Sequence, residues 1–214
     1  MPERELTMTL TIGIYVFDDV EVLDFAGPYE VFTTASRVWR RQHPGAADPL
    51  AVCLIGRTGA PVRARAGLQV QPDASFANHP PLDVLVVPGG VVTAELADTT
   101  VAPWIKATAA STRLTASVCT GAFLLAQAGV LEGRAATTHW EDIDDLRAMF
   151  PRLDVRTGVR WVDEGSVVTS AGISAGIDMS LHLVERLVDR DLALRTARQM
   201  DFDWATPAAV SPLG

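Results

Sequence analysis

The stretch Leu114-Thr115-Ala116-Ser117-Val118-Cys119-Thr120-Gly121-Ala122-Phe123-Leu124-Leu125-Ala126-Gln127-Ala128 joins a short apolar run to a run of helix formers. A thiol stands at the join. Such a pattern predicts a strand over 114–118, a sharp turn at Cys119 and a helix over 120–128 that Gly129 stops. A turn of this kind pushes a side chain out of the sheet, as in the nucleophile elbow of hydrolases. The helix would then aim its first amides and positive dipole end at the sulfur, which predicts a thiolate rather than a thiol. Gly121 would let a substrate or a neighbouring backbone come close. Cys119 is therefore the candidate reactive centre. Its alternative reading is a small apolar residue that ends a core strand.

Working outward, the same alternation repeats along the chain. Strands are expected over Thr9–Phe17, Leu50–Ile55, Leu82–Val87, Asp154–Thr157 and Ser166–Ser170, with a hairpin or bent strand over Val62–Val70. Helices are expected over Tyr29–Arg40, Ala102–Ala110 and Glu141–Phe150, and a last one over Ser174–Met200 with a break near Asp189-Arg190-Asp191. Leu82–Val87 is apolar without alternation, the mark of a strand covered on both faces in a largely parallel sheet. The fold class that follows is α/β: a doubly wound, largely parallel, flavodoxin-like sheet with helices on both faces. One domain is expected over 9–200, between an N-terminal extension at 1–8 and a tail at 201–214.

The 214 residues carry a formal net charge of −8 and no lysine- or arginine-rich tract. Phosphate neutralisation, the basis of nucleic-acid binding, is therefore not expected. No window has the length of a membrane span and the N-terminus has no signal-peptide pattern, so the expected location is the cytoplasm. The two cysteines, Cys53 and Cys119, have neither metal-ligand nor disulfide-framework spacing. Cys53 falls inside the Leu50–Ile55 strand and is assigned a structural role. The four histidines are scattered, so no metal site is expected.

In open α/β sheets, ligands gather beyond the carboxyl ends of the strands. Four segments qualify here: Phe17–Pro28, Pro88-Gly89-Gly90, Cys119-Thr120 and Ala171-Gly172-Ile173. Gly89 and Gly90 would either form a plain turn or expose amides to a developing negative charge. Asp24, set among apolar residues just before a helix, would be an N-cap or a desolvated acid with a raised proton affinity near the thiol. His139 would either pair with Cys119 or cap the helix that begins near Glu141.

These segments together resemble the ThiJ/PfpI superfamily, whose fold is that of class I glutamine amidotransferases, from about Thr11 to Leu187. The resemblance rests on the acid before Pro28, Pro88-Gly89-Gly90, Ser117-Val118-Cys119-Thr120-Gly121, Ala135-Ala136-Thr137-Thr138-His139-Trp140 and Ser170–Asp178. It is nearest to the isonitrile hydratase branch, whose L-D-L-T-G-P-like, S-V-C-T-G, A-T-T-H-W and G-I-T-A-G-I-D segments match this chain. Peptidases of the superfamily place a histidine directly after the nucleophile; this chain has Thr120. The same segments occur in the sensory halves of AraC-type regulators, whose helix-turn-helix module is not seen before Gly214.

The resemblance implies hydration of an isonitrile to an N-substituted formamide through a thioimidate on Cys119. Asp24 would handle the proton and Thr120 would orient water or the acid. Gly89, Gly90, Gly121 and Ile173 would shape the cradle. It further implies a small-molecule substrate, a homodimer and no cofactor. Its rivals are a small-molecule or redox sensor and a glyoxalase- or deglycase-like protein acting on reactive carbonyls.

Overall fold

The computed structural model describes residues 8–204. The expected flanks at 1–8 and 201–214 fall largely outside them. The first half of the chain runs β1 (Leu10–Tyr15), α1 (Val22–Gln42), β2 (Leu50–Gly56), β3 (Val62–Arg63), β4 (Gln69–Val70), β5 (Ala74–Ser75), β6 (Val84–Val87) and α2 (Thr93–Ala97). It continues with α3 (Val101–Ser111), β7 (Leu114–Val118), α4 (Gly121–Gln127), β8 (Ala135–Ala136), α5 (Ile143–Met149) and β9 (Asp154–Val155). The last elements are β10 (Trp161–Asp163), β11 (Val167–Ser170), α6 (Ala175–Leu187) and α7 (Arg190–Gln199).

The central sheet has seven strands in the order β10-β11-β7-β6-β1-β2-β5. All pairings in it are parallel except β10 with β11. Every residue of β6, β7 and β11 is buried, as strands covered on both faces require. The chain steps from β1 to β2 in one direction along the sheet and from β6 to β7 in the other. Right-handed crossovers running in opposite directions place α1 and α3 on opposite faces. Helices α1, α6 and α7 pack on one another, and α2, α3 and α4 form a second group. The strand order therefore reverses between β1 and β6. The crevice beyond their carboxyl ends is where such sheets bind ligands.

Several boundaries differ from the sequence reading. Helix α1 begins at Val22, so Asp24 lies in its first turn and Pro28 inside it. The apolar contacts of Phe25, Val31 and Phe32 outweigh the hydrogen bond that Pro28 cannot return to the Asp24 carbonyl. The expected break near Asp189 is present: the Asp189 carboxylate accepts from the Leu192 amide at 2.7 Å and caps α7. Val62–Val70 forms the expected hairpin as β3 paired with β4. Asp154–Val155 leaves the main sheet and pairs with β8. Helix α2 and strand β10 had no counterpart in the sequence reading, because runs this short have no readable period.

Candidate active site

The four segments meet beyond the reversal point, and three of their residues, Cys119, Asp24 and Ile173, have unusual surroundings. Cys119 has φ +55°, the left-handed region in which a non-glycine residue is uncommon. Backbone strain of this kind persists only where neighbours over-determine it. Here the Cys119 amide donates to the carbonyls of Ser170 at 3.2 Å and Ala171 at 3.3 Å. Its carbonyl accepts from the Thr138 hydroxyl at 2.8 Å. The elbow predicted from 114–128 is thus formed, with β11 and the Thr137-Thr138 segment as its braces.

Gly121 and Gly89 stand where two backbones pack closely, which is the neighbouring-backbone alternative read for Gly121. A Cβ on Gly121 would lie 2.1 Å from the Val87 carbonyl oxygen, and one on Gly89 would lie 2.5 Å from the Thr120 nitrogen. Their bare backbones let β6 and the elbow touch, so it is a neighbouring strand rather than a substrate that comes close to Gly121. Nor are the loop amides open to a developing charge. The Gly89 amide donates to Asp24 Oδ2 at 3.1 Å and the Gly90 amide to Thr120 Oγ1 at 2.9 Å. The Thr120 hydroxyl in turn donates to the Gly90 carbonyl at 2.9 Å. Thr120 therefore staples the Pro88–Gly90 loop to the elbow, and that bond takes the proton it would use to orient water or the acid.

Asp24 is fully buried, and its Oδ1 has no hydrogen-bond partner. Burial pushes its proton affinity up, to a pKa of about 7. The Gly89 amide works against that rise, and Glu21 adds to it. The Cys119 thiol and the Ile173 amide also favour the charged carboxylate, more weakly. Cys119 is 8% exposed, and burial followed by the Asp24 charge holds its thiol well above the ordinary range. Burial and the facing carboxylate work against the expected thiolate, and the Thr120 amide works for it. The two buried groups face one another, and burial raises the proton affinity of each.

Ile173 is the third element of the site. It also has positive φ, +50°, a genuine outlier for a β-branched residue, and it is 38% exposed beside the thiol segment. His139 does what its capping reading expects: its Nδ1 accepts from the Glu141 amide at 3.4 Å. The same nitrogen lies 3.4 Å from the Asp142 carboxylate, and the ring packs over Gly172. Among the described residues no hydrogen bond joins His139 to Cys119. Cys53 lies half-buried in β2. Sequence reasoning passed over Thr138, whose hydroxyl holds the elbow carbonyl, and Arg160, which holds the Ile173 segment. The only signal for Thr138 was its place directly before His139 in a motif.

Among the described residues, no group of three or more His, Cys, Asp or Glu side chains is placed to hold a metal ion. No described helix is long and apolar enough to cross a membrane.

A family model described as DJ-1/PfpI matches residues 11–186, which includes every segment of this site. The chain belongs to the DJ-1/PfpI family. It is 36% identical over 201 residues, 94% of its length, to an isonitrile hydratase of Pseudomonas putida, of which it covers 82%. It is also 31% identical to the HTH-type transcriptional regulator GbdR of Pseudomonas aeruginosa, matching 86% of this chain but 48% of that regulator. Among solved structures, a ThiJ/PfpI family protein from Pseudomonas syringae superposes with a TM-score of 0.80 at 28% identity, covering 94% of this chain and 78% of that one. Drosophila melanogaster DJ-1beta shares the fold, with a TM-score of 0.77 at 20% identity, over 92% of this chain and all of that one. The DJ-1/PfpI relatives thus include both a named enzyme and transcription regulators, set on one α/β scaffold.

Proposed function

We propose that this DJ-1/PfpI protein hydrates isonitriles to N-substituted formamides, with Cys119 as nucleophile and Asp24 as proton carrier. The observation that carries the reading is the buried Asp24 carboxyl group, one oxygen unpartnered, at the buried Cys119 thiol. A thiol whose proton affinity burial raises gains from a base at the moment of attack, and a carboxyl group of pKa about 7 is suited to take that proton and return it.

The steps balance without a cofactor. As Cys119 sulfur bonds to the terminal carbon of R–N≡C, Asp24 accepts the thiol proton and delivers it to that carbon, leaving R–N=CH–S–Cys119. Water then adds across the C=N bond, its oxygen to carbon and a proton to nitrogen, with Asp24 as the relay. The adduct R–NH–CH(OH)–S–Cys119 collapses: the C–S bond breaks, the hydroxyl proton returns through Asp24 to sulfur, and R–NH–CHO leaves. Covalent attachment divides one hard addition into two easier ones. Thr120, Gly89 and Gly90 support the reaction by holding the loop that presents the Gly89 amide to Asp24.

The test is formamide release from a simple alkyl isonitrile by the native protein and by Cys119→Ala. Turnover that the substitution abolishes is expected. A folded native protein that releases no formamide refutes the reading. It leaves in front the sensor reading, which the 31% identity to GbdR over 86% of the chain favours. A sensor would bind the small molecule at Cys119 without turnover.

A further inference from the structure

The far end of α1 carries a second group of polar side chains. About 25 Å from Asp24 along that helix, at 1.5 Å per residue, its last turn faces the second half of α7 across a cleft of about 360 Å³. Val38, Arg41 and Gln42 line the cleft from α1, and Arg195, Arg198 and Gln199 line it from α7.

The two helices clasp each other with crossed pairs. Arg41 donates to the Gln199 side-chain carbonyl at 2.7 Å, and Arg195 donates to that of Gln42. Arg195 also pairs with Asp191, one turn earlier, at 2.8 Å. Arg41 and Arg198 have no carboxylate partner among the described residues, whereas their neighbours do. Arg37 pairs with Glu30, Arg40 with Asp48 and Arg190 with Glu185. The chain has 26 acidic residues against 18 basic ones, yet no acid lines this cleft.

The donor and acceptor inventory selects the guest. Both glutamine oxygens accept from the arginine opposite, so what remains to bond a ligand is mainly N–H, from the guanidiniums and the two side-chain amides. A surface of donors suits an acceptor-rich anion. Two guanidiniums without carboxylates match the charge of a phosphate monoester, about −1.5 to −2 near neutrality, and its three terminal oxygens can accept from more than one fork. A carboxylate has one charge and two oxygens, and a single fork satisfies it. The cleft is larger than a bare oxyanion needs and falls within the roughly 300 to 1,000 Å³ of small-molecule sites. Cations in a last turn also suit the helix dipole, but that role requires neither two helices' arginines in one cleft nor neutral partners for them.

We propose that the α1–α7 cleft binds the phosphate group of a small phosphate monoester, with Arg41 and Arg198 as its charge partners and Arg195, Gln42 and Gln199 as further donors. The site is separate from Cys119 and Asp24 and stands whether or not the protein hydrates isonitriles.

The test titrates the full-length protein with glycerol 3-phosphate at low ionic strength, followed by NMR at the arginine Nε–Hε resonances, which are assigned by substitution. Saturable shifts at Arg41 and Arg198 are expected, with a dissociation constant below about 1 mM. Both residues are exposed, and Arg41→Gln and Arg198→Gln should each weaken binding about tenfold or more, with none left in the double variant. Arg152→Gln removes one charge from an exposed pair with Glu132 outside the cleft and should change the affinity less than about twofold. Acetate should bind at least about tenfold more weakly than the ester.

A monoester can be free or lipid-borne, and sedimentation with vesicles containing phosphatidic acid separates the two sources. Cosedimentation that the double variant loses upholds the chemistry and assigns it to a lipid head group; binding of the soluble ester alone assigns a free metabolite. No saturable shift up to about 20 mM ester, together with no cosedimentation, overturns the proposal. Equal weakening by Arg152→Gln overturns it too, because overall charge would then explain the binding. So does equal affinity for acetate, which would mark a general anion surface.

Discussion

Replacing Asp24 by asparagine should abolish activity and stabilise the protein, and both effects follow from one shifted equilibrium. The carboxyl has a pKa of about 7 in the folded protein, against 3.8 for an unperturbed aspartate, because burial disfavours its charge. The folded state therefore holds this proton more tightly than the unfolded chain does. Stability from this group is fully present below the unfolded value and is lost as pH rises through the folded one. At 1.36 kcal/mol per unit, a difference of about three units amounts to about 4 kcal/mol withheld from the protein above neutrality. Asparagine is neutral at every pH and can still accept from the Gly89 amide. Asp24→Asn should thus raise the melting temperature at pH about 8 by on the order of 10 °C, and change it little near pH 4.

The same titration sets the activity profile. If the carboxylate form is required, kcat/KM falls tenfold per unit below about pH 7, so near pH 5 it is about one hundredth of its plateau. An aspartate of ordinary pKa would keep most of its activity there. Thermal melts of native protein and Asp24→Asn at the two pH values, with initial rates across about pH 5 to 9, decide the matter. A kcat/KM that stays flat down to about pH 5 refutes the reasoning, as does an Asp24→Asn melting shift that is equal at the two pH values.

Other perturbations test the scaffold of the site. Gly121→Ala would put a Cβ 2.1 Å from the Val87 carbonyl oxygen, so β6 and the elbow must separate. A loss of about 3 kcal/mol or more in urea unfolding is expected, or failure to accumulate as soluble protein. Thr138→Val removes the donor to the Cys119 carbonyl in a buried setting. It should cost about 1 to 3 kcal/mol by denaturant unfolding, and kcat should fall more than KM rises, because the elbow relaxes while the mouth is intact. Asp189→Ala removes the α7 cap and should cost about 1 kcal/mol by the same measurement, with activity unchanged.

How much of this protein was legible in its sequence depends on how far apart in the chain each cause lies. The apolar run 114–118, the small residues after it and the continuous run 82–87 by themselves determined a buried parallel sheet with a thiol at a strand-to-helix turn. Burial pattern and glycine content are local properties, and they survive being read one window at a time. The same holds for Asp24 as an acid in apolar surroundings.

The charge on the thiol was not local. Helix position argues for a thiolate, but desolvation and the Asp24 carboxyl group work against it, and both arise only when residues 24, 89 and 119 meet. Of the two readings of Gly121, a substrate or a neighbouring backbone, the structure places the Val87 backbone opposite it, because that neighbour is set by sheet order. Thr120 and Thr138 show the same limit: a hydroxyl's function is fixed by its partner, and theirs are 30 and 19 residues away in the chain. The sequence alone determined which chemistry-bearing groups lie at strand ends. Only the tertiary structure decided their protonation and their hydrogen bonds, because solvation and pairing depend on what packs against a group rather than on what precedes it.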